Sequence, residues 1–228
     1  MIFGLEVIAF VLVFAIFLIA GTVKGVLGFG LPLITMSLLP FVIPVELAIV
    51  LSALVQPATN IGQLISTGGA KQAFNSTWPI LLALVPSVAL GAWFLLELEG
   101  NAHLLILGLT LIGFALHSLS GFIFKISKER QNIVGGVTGF VAGIVGILTS
   151  INGMFFIMYS GVLINSGFWF AGLLNQNNIV IGILVLIPCF AGMWIGNIIG
   201  NRIPNEVFRK MILYALLIIG CVFIWRGL

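Results

Sequence analysis

Residues 21–30 read GTVKGVLGFG, one lysine among four glycines with hydrocarbon side chains on both sides. A lysine can neutralise an anion, and glycines let backbone N–H groups come close to a ligand. That combination makes Lys24, Gly25, Gly28, Phe29 and Gly30 candidate anion-binding residues. Neutral amides and hydroxyls donate to an anion without the desolvation cost of a charge. Such groups occur as Gln56 and Asn60 in "AIVLSALVQPATNIGQL", as Thr149, Ser150 and Asn152, and as the run Asn175, Gln176, Asn177 and Asn178. Each has a plainer role open to it. Lys24 fits equally a helix end from which it snorkels to the lipid headgroups. Gly21 and Gly25 form a GxxxG pair that suits helix packing, and the amides suit bonds between helices.

Other reactive side chains are few. Glu46, His103 and His117 could carry protons, although each falls near an expected helix end, where an interfacial position is the ordinary reading. The two histidines lie on one expected helix and do not offer facing haem ligands. Cys189 and Cys221 sit in apolar segments without metal-ligand spacing, so neither a metal site nor a cofactor is expected. No phosphate-loop motif is present, so nucleotide hydrolysis is not expected.

The elements that hold these residues belong in lipid. Of 228 residues, 61% are hydrophobic and 7% charged, against about 25% charged in soluble domains. The expected class is all-α: a polytopic helical membrane protein with about 8–10 membrane segments. A membrane barrel would alternate apolar and polar residues, and "VIAFVLVFAIFLIAG" does not. The net charge of +3 is confined to a few loops, which marks orientation and not nucleic-acid binding. "MIFGLEVIAF" lacks a basic leader region, so 3–20 is expected to be a retained span.

Apolar segments fall at 3–20, 25–40, 45–66, 78–96 and 103–122, then, beyond "KISKERQN", at 133–149, 151–165, 167–200 and 211–226. The chain is expected to form one membrane domain, 1–228, made of a first repeat (1–124), a basic linker (125–130) and a second repeat (131–228). Gly21, Gly25 and Gly28 match Gly139, Gly143 and Gly146 at a constant offset, and "LVPSVALGAW" matches "LIPCFAGMWIG". Cytoplasmic loops accumulate Lys and Arg, which places Lys125, Lys128, Arg130, Arg202, Arg209 and Lys210 inside. Five crossings before the linker then make the repeats inverted in topology. The same argument requires breaks within 25–40 and 167–200, giving short broken or re-entrant helices. Irregular backbone at membrane depth is tolerated only when buried or lining a cavity, and a half-helix N-terminus there is an anion site.

"GTVKGVLGFGLPLITMSLLP", the polar-interrupted helix after it, "GGAKQAF" and the weaker echo "GGVTGFVAGIVGILTS" resemble the sulfite exporter TauE/SafE family, also called TSUP or DUF81. The resemblance implies a non-enzymatic, multi-pass transporter of a bacterial-type inner membrane. It implies duplicated halves that move sulfite, thiosulfate or organosulfonates, with a proton or sodium ion as possible coupling partner. A passive anion channel is the alternative, and an intramembrane enzyme or redox subunit a third.

Overall fold

The computed structural model describes residues 6–67, 82–91, 93–94, 97–98, 101–122, 130–149, 165–169, 172, 174–200 and 205–228. Among these no strand occurs. In chain order the helices are α1 (Val7–Leu27), α2 (Leu31–Leu38), α3 (Val45–Thr67), α4 (described over Leu82–Gly91), α5 (Ala102–Ser120) and α6 (Gln131–Thr149). They continue as α7 (165–169), α8 (Gln176–Leu184), α9 (Leu186–Gly200) and α10 (Asn205–Gly227). Among the described residues four stretches are long and apolar enough to cross a membrane: Val7–Leu27, Ala102–Ser120, Gln176–Gly200 and Glu206–Gly227. Large apolar side chains such as Ile8, Ile133 and Trp225 lie on the outside. Water would penalise that surface and hydrocarbon does not, so the chain is an integral membrane protein.

The first span corrects the expected boundaries. Segments 3–20 and 25–40 were to be separate, but α1 runs through Gly21, Lys24 and Gly25 to Leu27. Those glycines serve packing. A Cβ on Gly21 would strike the carbonyl of Cys189, and one on Gly25 the carbonyl of Met193. Gly192 and Gly196 of α9 are equally close to the backbone of Leu18 and Thr22. With small residues on both faces the two backbones touch, which is how apolar helices associate where no hydrophobic force separates them from lipid.

The break itself lies three residues further on. Gly28 (φ 77°) and Gly30 (φ 98°) are both left-handed, a conformation that side chains with a Cβ rarely adopt. The N–H of Gly28 closes α1 on the carbonyl of Lys24 at 2.8 Å. After Phe29 the chain restarts as α2, where Pro32 sits in the first turn and forfeits no intrahelical bond. α2 has 8 residues, a rise of about 12 Å, so it does not cross the bilayer.

α3 contains Pro57, which has no N–H to give the carbonyl of Ala53. Asn165 of α7 donates to that carbonyl instead, Nδ2 to O at 3.0 Å. The most extensive helix contacts among the described residues are α1 with α9 and α5 with α10. In the second long apolar region, α8 and α9 follow each other across a single turn residue, Val185, and the helix begins at Asn175. The amides that were expected to form the break are therefore the helix start: Gln176, Asn177 and Asn178 are its first turn. α6 passes through Gly146 to Thr149, so no break occurs at the position expected to match Gly28.

Candidate anion site

Lys24 occupies the last turn of α1 and is only 5% exposed. It does not snorkel. Its Nζ donates to Thr59 Oγ1 at 2.9 Å and to Asn60 Oδ1, both on α3. An ammonium carries three donors, so two are held by the protein in the described structure. Among the described residues no carboxylate pairs with it. A buried cation with neutral partners only is costly, since burial of an unpaired charge loses several kcal/mol of hydration. An anion would relieve that cost.

The partners come from one stripe of α3. Ser52, Gln56, Thr59 and Asn60 recur every three or four residues, so they share a helix face, and all are buried. Thr59 also bonds back to the carbonyls of Val55 and Gln56, each at 3.1 Å. Gln56 Nε2 donates to the Ser52 carbonyl at 3.3 Å, and Ser52 Oγ meets Thr35 Oγ1 of α2 at 2.7 Å. The stripe thereby ties α1, α2 and α3 together around the break.

Beside it lies a cavity of about 930 Å³. Its lining includes Lys24, Gly28, Phe29, Gly30, Gln56 and Asn60, which brings together six of the residues singled out above. The first turn of α2, Leu31 to Leu33, is also in the wall. No side chain caps that helix start. The N–H groups of Leu31 and Leu33 thus have no intrahelical acceptor, and the helix end carries partial positive charge. Phe114, Val137, Val141, Ala142 and Val145 give the rest of the wall a hydrocarbon part.

Gly25 is adjacent but absent from that lining; it is spent on the α9 contact. Asn175, Gln176, Asn177 and Asn178 lie elsewhere, at the start of α8, where Asn175 Oδ1 accepts from the Asn178 N–H at 2.9 Å. Thr149 ends α6, and Ser150 and Asn152 lie outside the described residues.

Sequence reasoning missed four polar wall residues, Thr110 and Ser118 of α5, Thr138 of α6 and Arg209 of α10, and took His117 of α5 only as a possible proton carrier. The signal in α5 was the spacing, because 110, 114, 117 and 118 fall on one helix face. Arg209 was read only as a marker of orientation. It stands one turn into α10 and donates from Nη2 to the Ser118 carbonyl at 3.1 Å, at the exposed rim of the cavity. The described wall holds Lys24, Arg209 and His117 and no carboxylate, so its electrostatics favour an anion.

Among the described residues no group of His, Cys, Asp or Glu could hold a metal ion. Both cysteines are free, Cys189 buried and Cys221 exposed.

Neither a curated protein nor a solved structure matches the chain. Residues 13–165 match the family model described as Sulfite exporter TauE/SafE, and every described wall residue except Arg209 lies within that match. The matched region is more than half of the chain, which therefore belongs to the sulfite exporter TauE/SafE family of membrane transporters.

Proposed function

We propose that the chain is a secondary transporter of a small sulfur-containing oxyanion, such as sulfite, thiosulfate or an organosulfonate, in a bacterial-type inner membrane. The anion binds between Lys24 and the uncapped start of α2, with Asn60 and Gln56 as neutral donors. The observation that carries this reading is Lys24 itself, buried beside a left-handed glycine break with no carboxylate partner among the described residues. Arg209 at the rim draws the anion in.

Alternating access by two inverted repeats, 1–124 and 131–228, is part of the proposal. Reciprocal contacts support it. Gly108 faces Gly220 and Ile224, while Gly220 faces Gly108 and Ile112, so exchanging 108 with 220 and 112 with 224 leaves the set unchanged. Likewise Gly21 and Gly25 of the first repeat pack on α9 of the second, and Gly143 of the second faces Leu84 and Ser87 of α4. A contact set that maps onto itself is what a pseudo-two-fold axis produces.

The cavity lies at the end that carries Arg209, the end assigned to the cytoplasm by its lysines and arginines. The described conformer is then inward-facing. Counterflow in proteoliposomes tests the carrier reading: internal unlabelled sulfite should accelerate uptake of ³⁵S-sulfite, and uptake should saturate. Absence of counterflow with flux above carrier rates would establish the channel instead.

A further inference from the structure

At the end of the molecule away from the cavity, aromatic and charged side chains pack together. Phe41 packs on Phe223 with ring centroids 5.1 Å apart, and the Arg226 guanidinium stands over Phe41 at 5.3 Å. In the same layer the first turns of α3 and α5 meet, where His103 Nδ1 lies 3.5 Å from Glu46 Oε1. None of these residues lines the cavity. On α5 the wall runs from Thr110 to Ser118, towards the other end, and on α3 from Gln56 to Asn60.

His103 is 5% exposed, and neither ring nitrogen has a hydrogen-bond partner in the described structure. Among the described residues its one polar contact is then the 3.5 Å approach to Glu46. The Glu46 side chain is half exposed and in reach of water and protons. Imidazole is the side chain that changes charge between about pH 5 and about pH 8. Protonated, it attracts Glu46 and holds α3 to α5; neutral, it lacks that attraction.

We propose that His103 is a proton-binding site that latches the outer mouth, with Glu46 as its counter-charge. The inference rests on the transporter reading for its purpose, because a gate matters only if the mouth opens. Few other charges bear on it. Among the described residues, α2 and α6 bring no titratable group to α5, α10 brings Arg226 at the His103 end and Arg209 at the Ser118 end, and Glu97 precedes the start of α5. Arg226 is engaged with Phe41, which leaves Glu46 as the carboxylate in contact with His103. The proton is taken up from the outer side when the latch closes and returned there when it opens, so the site senses external pH and does not itself carry protons across.

Spin-label distance measurements in nanodiscs test this. Labels at Pro44→Cys and Asn101→Cys, both exposed positions flanking the contact, are placed on a background with Cys189→Ala and Cys221→Ala. A single short distance is expected at about pH 5.5, with a component several ångström longer growing in by about pH 8. His103→Gln and, independently, Glu46→Gln should give one distribution at both pH values. A parent distribution that does not change with pH, or a shift that persists in His103→Gln, overturns the latch. Glu46→Gln removes a half-exposed charge and keeps the test decisive if the histidine variant does not fold. Sulfite counterflow on the same protein separates the two claims. An intact pH response without counterflow would strike the transporter reading alone, and counterflow with a flat pH response would strike the latch alone.

Discussion

Replacing Lys24 by methionine keeps the length and most of the volume of the side chain and removes its charge. In the described structure this abolishes the bonds to Thr59 and Asn60 and the single buried cation facing the α2 start. Two unit charges about 4 Å apart attract by about 4 kcal/mol at an effective dielectric of about 20. That is an upper bound, since two of three ammonium donors are already engaged with α3. A charge-assisted hydrogen bond contributes about 1.5–3 kcal/mol, and each 1.4 kcal/mol is about tenfold. Affinity for sulfite or thiosulfate should therefore fall by about 10-fold to 100-fold. Stability should move in the other direction or not at all. Taking the donor from the two acceptors costs about 1–3 kcal/mol each, and removing a buried cation relieves a penalty of several kcal/mol, which offsets it. Equilibrium binding of ³⁵S-thiosulfate to purified protein, alongside the Tm of ligand-free protein, separates the two effects. A Kd within about twofold of the parent, in a variant that is folded and inserted, would refute the assignment of Lys24 to the anion.

Arg209→Gln should raise KM for the anion several-fold with kcat little changed, and the effect should shrink at high salt, because an exposed rim charge acts by steering; a salt-independent loss of kcat would contradict this. Gly25→Leu should abolish folded, inserted protein, since its side chain must enter the α9 backbone, whereas Gly136→Ala meets nothing within 4 Å and should be neutral. Size-exclusion profiles in detergent distinguish the two. Asn175→Ala should lower stability by about 1 kcal/mol through loss of the α8 cap while leaving anion affinity unchanged, and a fall in affinity measured on folded protein would return the amide run to the site.

How far the sequence could be read depended on the range of the interaction. Composition sufficed for the solvent, because 7% charged residues cannot cover a soluble surface. The glycine break was legible within a few residues, as Gly28 and Gly30 impose their own backbone geometry. What stayed open was how far α1 runs before it, because Gly21 and Gly25 look the same in a string whether they end a helix or pack it, and the deciding partner, α9, is far along the chain. Lys24 shows the same limit. Snorkelling and burial differ only by where Thr59 and Asn60 end up. The run Asn175–Asn178 drew attention by its polarity, yet Asn at a helix start followed by a backbone donor three residues on is the ordinary capping pattern. Arg209 was hidden by the opposite bias. A basic residue beside a loop reads as topology until α10 is seen to begin at Asn205 and carry it to the rim.

The most direct measurement is a cryo-electron-microscopy map of the protein in nanodiscs with saturating thiosulfate. Anion density should lie within hydrogen-bond distance of Lys24 Nζ and the backbone N–H groups at the start of α2, with Asn60 or Gln56 as a further donor. Density at another place, such as the start of α8, with the Lys24 cavity holding only water, would contradict the account.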